Sequence, residues 1–119
     1  MDEISPERVA DLLENDAPPT VVDIREPVAF RRGHIPGSEN VPFRRLPEHV
    51  ADLTDADHVV TVCPHGKSSV QAAKLIESYE GIDAPVESMA GGLSEWDGAI
   101  ESGAEDGRAE PDEGPSAPF

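Results

Sequence analysis

Apolar side chains follow two patterns, helical spacing and short continuous runs. Val9, Leu12 and Leu13 stand at i, i+3 and i+4, which gives a helix one apolar face. Ser5 is placed to cap it, with Pro6 in its first turn and Glu7 near its positive end. Pro18-Pro19 then stops it. Thr20-Val21-Val22-Asp23-Ile24 and His58-Val59-Val60-Thr61-Val62 are short β-branched runs without alternation, the pattern of buried strands. Ala72, Leu75, Ile76 and Tyr79 return to helical spacing and predict an amphipathic helix over 69–79. Short helices are expected around Pro27–Arg32 and Leu46–Leu53, a last strand over Pro85–Met89, and a glycine turn leading into a helix through Trp96. Helices alternating with buried strands predict an α/β fold on a mostly parallel sheet.

This patterning stops near residue 101. Ser102–Phe119 holds three Gly, three Pro, five acids and one Arg with no apolar period. Such a stretch buries too little surface to offset chain entropy, so residues 1–101 are expected to form one domain and 102–119 an acidic, disordered tail. The 119 residues leave no room for a second core.

Charge narrows the choice of partners. With 25 acidic and 9 basic side chains the formal net charge is -16, which argues against nucleic acid and against an anionic membrane surface. No apolar run approaches the ~20 residues of a membrane span. Met1-Asp2-Glu3 lacks the basic-then-apolar start of a secretory signal, so a cytoplasmic location is expected. Lysine is scarce, at Lys67 and Lys74 alone, and an acidic, lysine-poor surface suits a salt-rich cytoplasm in which self-repulsion is screened.

The single cysteine, Cys63, excludes an intrachain disulfide and a Cys-rich zinc site. It sits at the carboxyl tip of the predicted strand 58–62, followed by Pro64-His65-Gly66-Lys67-Ser68-Ser69 and the start of a helix. Ligands of open α/β sheets bind at strand carboxyl ends, and helix N-termini present unpaired N–H groups. A loop curling about Cys63 brings in the amides of His65, Gly66, Lys67, Ser68 and Ser69. Gly66 supplies the backbone freedom and Lys67 a full charge. Such a nest depresses a thiol pKa and makes Cys63 a candidate nucleophile; the alternative is a small hydrophobe packed at a strand end. Two rival readings fail on spacing. A phosphate-binding G-x-x-x-x-G-K-[ST] loop needs glycine where Thr61 stands, and a cysteine phosphatase needs a phosphate-clamping arginine where Ser69 stands.

Four motifs in order resemble the rhodanese-like domain family, and the resemblance spans residues 4–98. They are Val22-Asp23-Ile24-Arg25-Glu26; Gly33-His34-Ile35-Pro36-Gly37-Ser38 leading to Asn40-Val41-Pro42; the loop Cys63–Ser68; and Gly91-Gly92 with Trp96. The His-Gly-x-Ser-Ser loop is most similar to that of small thiosulfate sulfurtransferases. The resemblance implies a mostly parallel sheet flanked by helices on both faces. It also implies an enzyme that moves a sulfane sulfur from thiosulfate or a persulfide donor to a thiol or cyanide through a Cys63 persulfide. The acceptor would be a small thiol or a thioredoxin-like protein, with no metal or organic cofactor. His65, Gly66, Lys67, Ser68, Ser69 and Arg25 are the expected substrate-binding residues. The sequence departs from the family at Pro64, which removes one amide donor, and at Ser68, where many members have arginine. A non-turnover persulfide carrier or interaction module is the alternative function.

Seven of the nine basic side chains but only six of the 25 acids lie within residues 25–74. Arg25, Arg31, Arg32, Arg44, Arg45 and Lys67 are thus candidates for a locally positive mouth. His34 is expected to bond the backbone of its turn, His49 and His58 to lie on the surface, and Trp96 to plug the core.

Overall fold

The computed structural model describes residues 1–103. The tail expected at 102–119 therefore falls, from residue 104 on, outside the described residues. Five strands form one all-parallel sheet: β1 (Asp2–Ile4), β2 (Thr20–Asp23), β3 (Glu39–Asn40), β4 (Val59–Val62) and β5 (Val86–Met89), in the order β1-β5-β4-β2-β3. β4, the strand that leads to Cys63, is central. Every carboxyl end consequently opens on one edge of the sheet, where a crevice can form.

Alternation along the strands sorts the core into two layers. Val21, Val60, Val62 and Met89 face α1 (Pro6–Leu13) and pack with Ile4, Val9 and Ile35. Val22, Val59 and Val86 face the other side, against Leu46, Val50, Leu53, Ala72, Ala73 and Ile76. That layer is supplied by α3 (Leu46–His49), the 3₁₀ turn Val50–Leu53 and α4 (Ser68–Glu77). Helices therefore cover both faces, and buried valines are the cheapest filling: each contributes roughly 1.5–3 kcal/mol on leaving water. α1 begins where expected, with the Ser5 hydroxyl accepting from Arg8 N–H at 3.1 Å. α2 (Pro27–Arg32) carries Phe30, whose ring stacks on His34 at 3.7 Å between centroids.

Five elements differ from the sequence reading. β1 and β3, of three and two residues, have no apolar signal: they carry exposed acids and form because the sheet edges offer unpaired backbone groups. The helix expected at Leu46–Leu53 tightens into a 3₁₀ turn after His49. The final helix is the single 3₁₀ turn Gly92–Glu95, with Trp96 already extended. Tyr79 lies beyond the end of α4 and is exposed rather than on a buried face. Glu101 closes the described fold by exchanging backbone hydrogen bonds with His34, both 2.9 Å. Among the described residues no helix is long and apolar enough to cross a membrane.

Candidate active site

The Cys63 side chain lies on the α4 face of the sheet, one residue past β4, and is 2% exposed. Residues 63–69 curl about it. Gly66 N–H reaches Sγ at 3.1 Å and Ser69 N–H at 3.3 Å, with Ser69 Oγ also at 3.3 Å. Ser69 is in the first turn of α4, so its amide is one of the donors a helix leaves unpaired. Burial alone would push the thiol up. The Ser69 hydroxyl and amide, then the amides of Gly66 and His65, outweigh it and leave Cys63 below its ordinary value.

The loop presents N–H groups inward because its carbonyls are held outward. Leu93 N–H donates to Cys63 O at 2.9 Å and Ser94 N–H to Pro64 O at 3.0 Å, both from the 3₁₀ turn Gly92–Glu95. The two segments touch backbone to backbone. A Cβ on Gly92 would stand 2.6 Å from the amide nitrogens of Gly66 and His65, and one on Gly66 2.7 Å from Gly91 N. Gly66 and Gly92 also hold left-handed φ of +84° and +63°, which disfavours any side chain there. The glycine pair read as a tight turn is thus also the contact surface that shapes the loop.

Behind Sγ lies a buried chain of hydroxyls. Ser69 Oγ is 2.7 Å from Ser88 Oγ on β5, and Thr61 Oγ1 on β4 donates to Ser69 O at 2.7 Å. All three residues have no exposed surface. Sequence reading singled out Ser69 but missed Thr61 and Ser88. Their signal was a hydroxyl at an inward-facing strand position, legible only once α4 is placed on that face.

The expected site residues divide. Cys63, His65, Gly66 and Ser69 converge through Sγ. Lys67 and Ser68 are exposed on the rim of the same loop, as is Pro64. Arg25 is engaged on the neighbouring strand end. Its Nε and Nη2 clamp the Asp23 carboxylate at 2.9 and 2.8 Å, and Nη2 also donates to Gly33 O at 2.7 Å. Asp23 is 1% exposed, so its charge needs that partner. Asn40 completes the brace by donating to the carbonyls of Asp23 and Arg25 at 3.0 and 2.9 Å. Arg44 pairs with Glu26 and Arg45 lies near Glu48, both at exposed positions. His34 donates from Nδ1 to Phe30 O at 2.7 Å, the turn-bracing role expected of it. His58 is only 25% exposed and bonds Glu87, because β5 runs beside it. Trp96 packs against the α1 layer and donates to Ala99 O. Among the described residues no cluster of three His, Cys, Asp or Glu side chains could hold a metal ion.

The rhodanese-like domain family matches residues 5–99. Over 107 residues the chain is 36% identical to the thiosulfate sulfurtransferase GlpE of Pseudomonas aeruginosa, covering 90% of this chain and 94% of that protein. It is 25% identical over 99 residues to the putative sulfur carrier protein YrkF of Bacillus subtilis, covering 83% of this chain and 52% of that one. The fold superposes on a rhodanese-like domain protein from Staphylococcus aureus with a TM-score of 0.77 at 23% identity, over 87% of this chain and all of the other.

Proposed function

The chain belongs to the rhodanese-like domain family, and we propose that it is a thiosulfate sulfurtransferase that carries the transferred sulfur on Cys63. One observation carries the assignment to that residue. The sole cysteine sits inside a loop whose amides and one hydroxyl converge on Sγ and favour its anion over the effect of burial.

In the first half-reaction the thiolate attacks the outer sulfur of thiosulfate. A sulfur–sulfur bond forms to Sγ, the bond to the sulfonate sulfur breaks, and its electron pair leaves with sulfite. Total charge is unchanged: the thiolate's negative charge reappears on the terminal sulfur of the persulfide, and the donor's two leave on sulfite. In the second half-reaction a thiolate or cyanide attacks the terminal sulfur and returns the pair to Cys63. Preorganised N–H donors of His65, Gly66 and Ser69 would stabilise charge as it develops, without reorganisation. The exposed Lys67 ammonium would attract the dianionic donor. A small thiol or a thioredoxin-like protein suits the acceptor role, because the loop opens at the surface on Pro64, His65, Lys67 and Ser68.

The test is thiosulfate-to-cyanide transfer by the wild type and by Cys63→Ser. Turnover lost with the sulfur supports the assignment; turnover retained overturns it. The likeness to the putative sulfur carrier of Bacillus subtilis favours a second reading, a carrier loaded by a protein persulfide. A Cys63 that gains one sulfur by intact mass from such a donor, yet never turns over with thiosulfate, would select it.

A further inference from the structure

Ser88 is polar, fully buried and on a strand that supplies nothing else to the reacting sulfur. It lies on the face that packs against α4, two residues past Val86, where an apolar side chain would serve packing equally well. Its recorded partner is the Ser69 hydroxyl at 2.7 Å, and that hydroxyl is in turn 3.3 Å from Sγ. Resting on the reading of Cys63 as the sulfur-carrying nucleophile, we propose that Ser88 is a positioning residue: it donates to Ser69 Oγ and so turns the Ser69 hydroxyl proton onto the anionic sulfur.

Donors and acceptors are matched differently in the two forms of the sulfur. With a thiolate, Ser88 O–H donates to Ser69 Oγ and Ser69 O–H donates to S⁻, so both hydroxyl protons are used. With a thiol there are three protons, on Sγ, Ser69 and Ser88, but only two contacts, Sγ to Ser69 Oγ and Ser69 Oγ to Ser88 Oγ, for them to occupy. One buried donor is then left over whichever way the chain runs. The relay therefore suits the anion, and rotation of two hydroxyls lets it follow the sulfur's charge without moving a heavy atom. Ser69 is held for this by Thr61, which ties its carbonyl to β4. A donor hydrogen-bonded to a second donor is polarised by it, which strengthens the bond it makes. Other charged groups on the surrounding elements leave this inner chain to the hydroxyls: His65 and Lys67 are exposed, and Glu87 bonds His58.

The experiment is a thiol titration by ultraviolet absorbance of the full-length chain, in the wild type, Ser88→Ala, Ser69→Ala and the double variant. The same proteins are assayed for sulfur transfer against pH. Ser88→Ala is expected to lower the thiolate fraction at a fixed pH below the midpoint about two- to threefold, on the scale of hydrogen-bond cooperativity. It should shift the rate profile by the same amount, and Ser88→Thr, which keeps the hydroxyl, should restore it. In the Ser69→Ala background the second substitution should add nothing. An unshifted Ser88→Ala titration overturns the proposal. So does an equal shift with and without the Ser69 hydroxyl, which would assign Ser88 to packing alone. Either result leaves the role of Cys63 standing, since that is decided by Cys63→Ser.

Discussion

The inward aim of the loop amides depends on a glycine outside the loop, so Gly92→Ala probes the site from behind. The added Cβ would lie closest to Cys63 O and 2.6 Å from the amide nitrogens of both Gly66 and His65, so the overlap is at least about 0.8 Å against the 3.4 Å at which ordinary contact begins. Those atoms are backbone and cannot swing away as a flexible side chain would. Relief requires the loop or the 92–95 turn to move by most of that distance. Gly66 N–H now sits 3.1 Å from Sγ, and such a displacement takes it to the edge of hydrogen-bonding range. A hydrogen bond to a charged group contributes about 1.5–3 kcal/mol. At 1.36 kcal/mol per tenfold change, its loss lowers the thiolate fraction, and sulfur transfer below the midpoint, by about 10- to 100-fold. The left-handed backbone at residue 92 costs a further ~1–2 kcal/mol, which falls on stability instead. Urea denaturation reads the second effect, and the thiol titration with the transfer rate against pH reads the first. A folded Gly92→Ala protein with a wild-type titration would refute the claim that this contact aims the loop.

Four further outcomes are expected. Because Cys63 is depressed on folding, its ionisation should stabilise the wild type relative to Cys63→Ala fully above the ordinary thiol value of about 8.5. That advantage should disappear as pH falls through the folded value, as denaturant titrations at a series of pH values will show. Arg25→Gln should cost about 2–3 kcal/mol by leaving the nearly buried Asp23 carboxylate uncompensated, measured by thermal or urea unfolding. A raised KM with unchanged stability would instead make Arg25 a substrate contact. Lys67→Ala should slow attack on thiosulfate, most at low ionic strength, and leave unfolding unchanged, since the side chain is exposed. Deleting residues 102–119 should preserve sulfur transfer and cost no more than about 1 kcal/mol, the net worth of the Gly103 N–H bond to Arg31 O, as unfolding curves will report.

Much of the molecule was legible before its fold. The β-branched runs at 20–24 and 58–62 and the helical spacing at 9–13 and 72–76 report burial directly, because a strand buried on both faces tolerates few polar residues. The loop at 63–69 was legible for a local reason. A cysteine at a strand tip, a glycine three residues on and a helix start make a nest from backbone that is close in sequence. His34 was readable too, since its ring bonds Phe30 O within a single turn.

The remainder depended on segments far apart in the chain. Two- and three-residue edge strands exist because neighbouring strands offer open backbone groups, a property of the neighbours and not of Asp2–Ile4 or Glu39–Asn40. The hold on the Arg25 side chain beside Asp23 includes Gly33 O, eight residues away and brought close by α2. The amides of Leu93 and Ser94 that turn the loop carbonyls outward, and the Ser88 hydroxyl behind Ser69, come from 19 to 30 residues downstream. Short-range order is written in the spacing of side chains, but a hydrogen bond between distant segments has no spacing. It appears only when the hydrophobic layers have brought β5 and its following turn against the loop, and that packing is what makes a locally encoded cysteine nest into a shaped site.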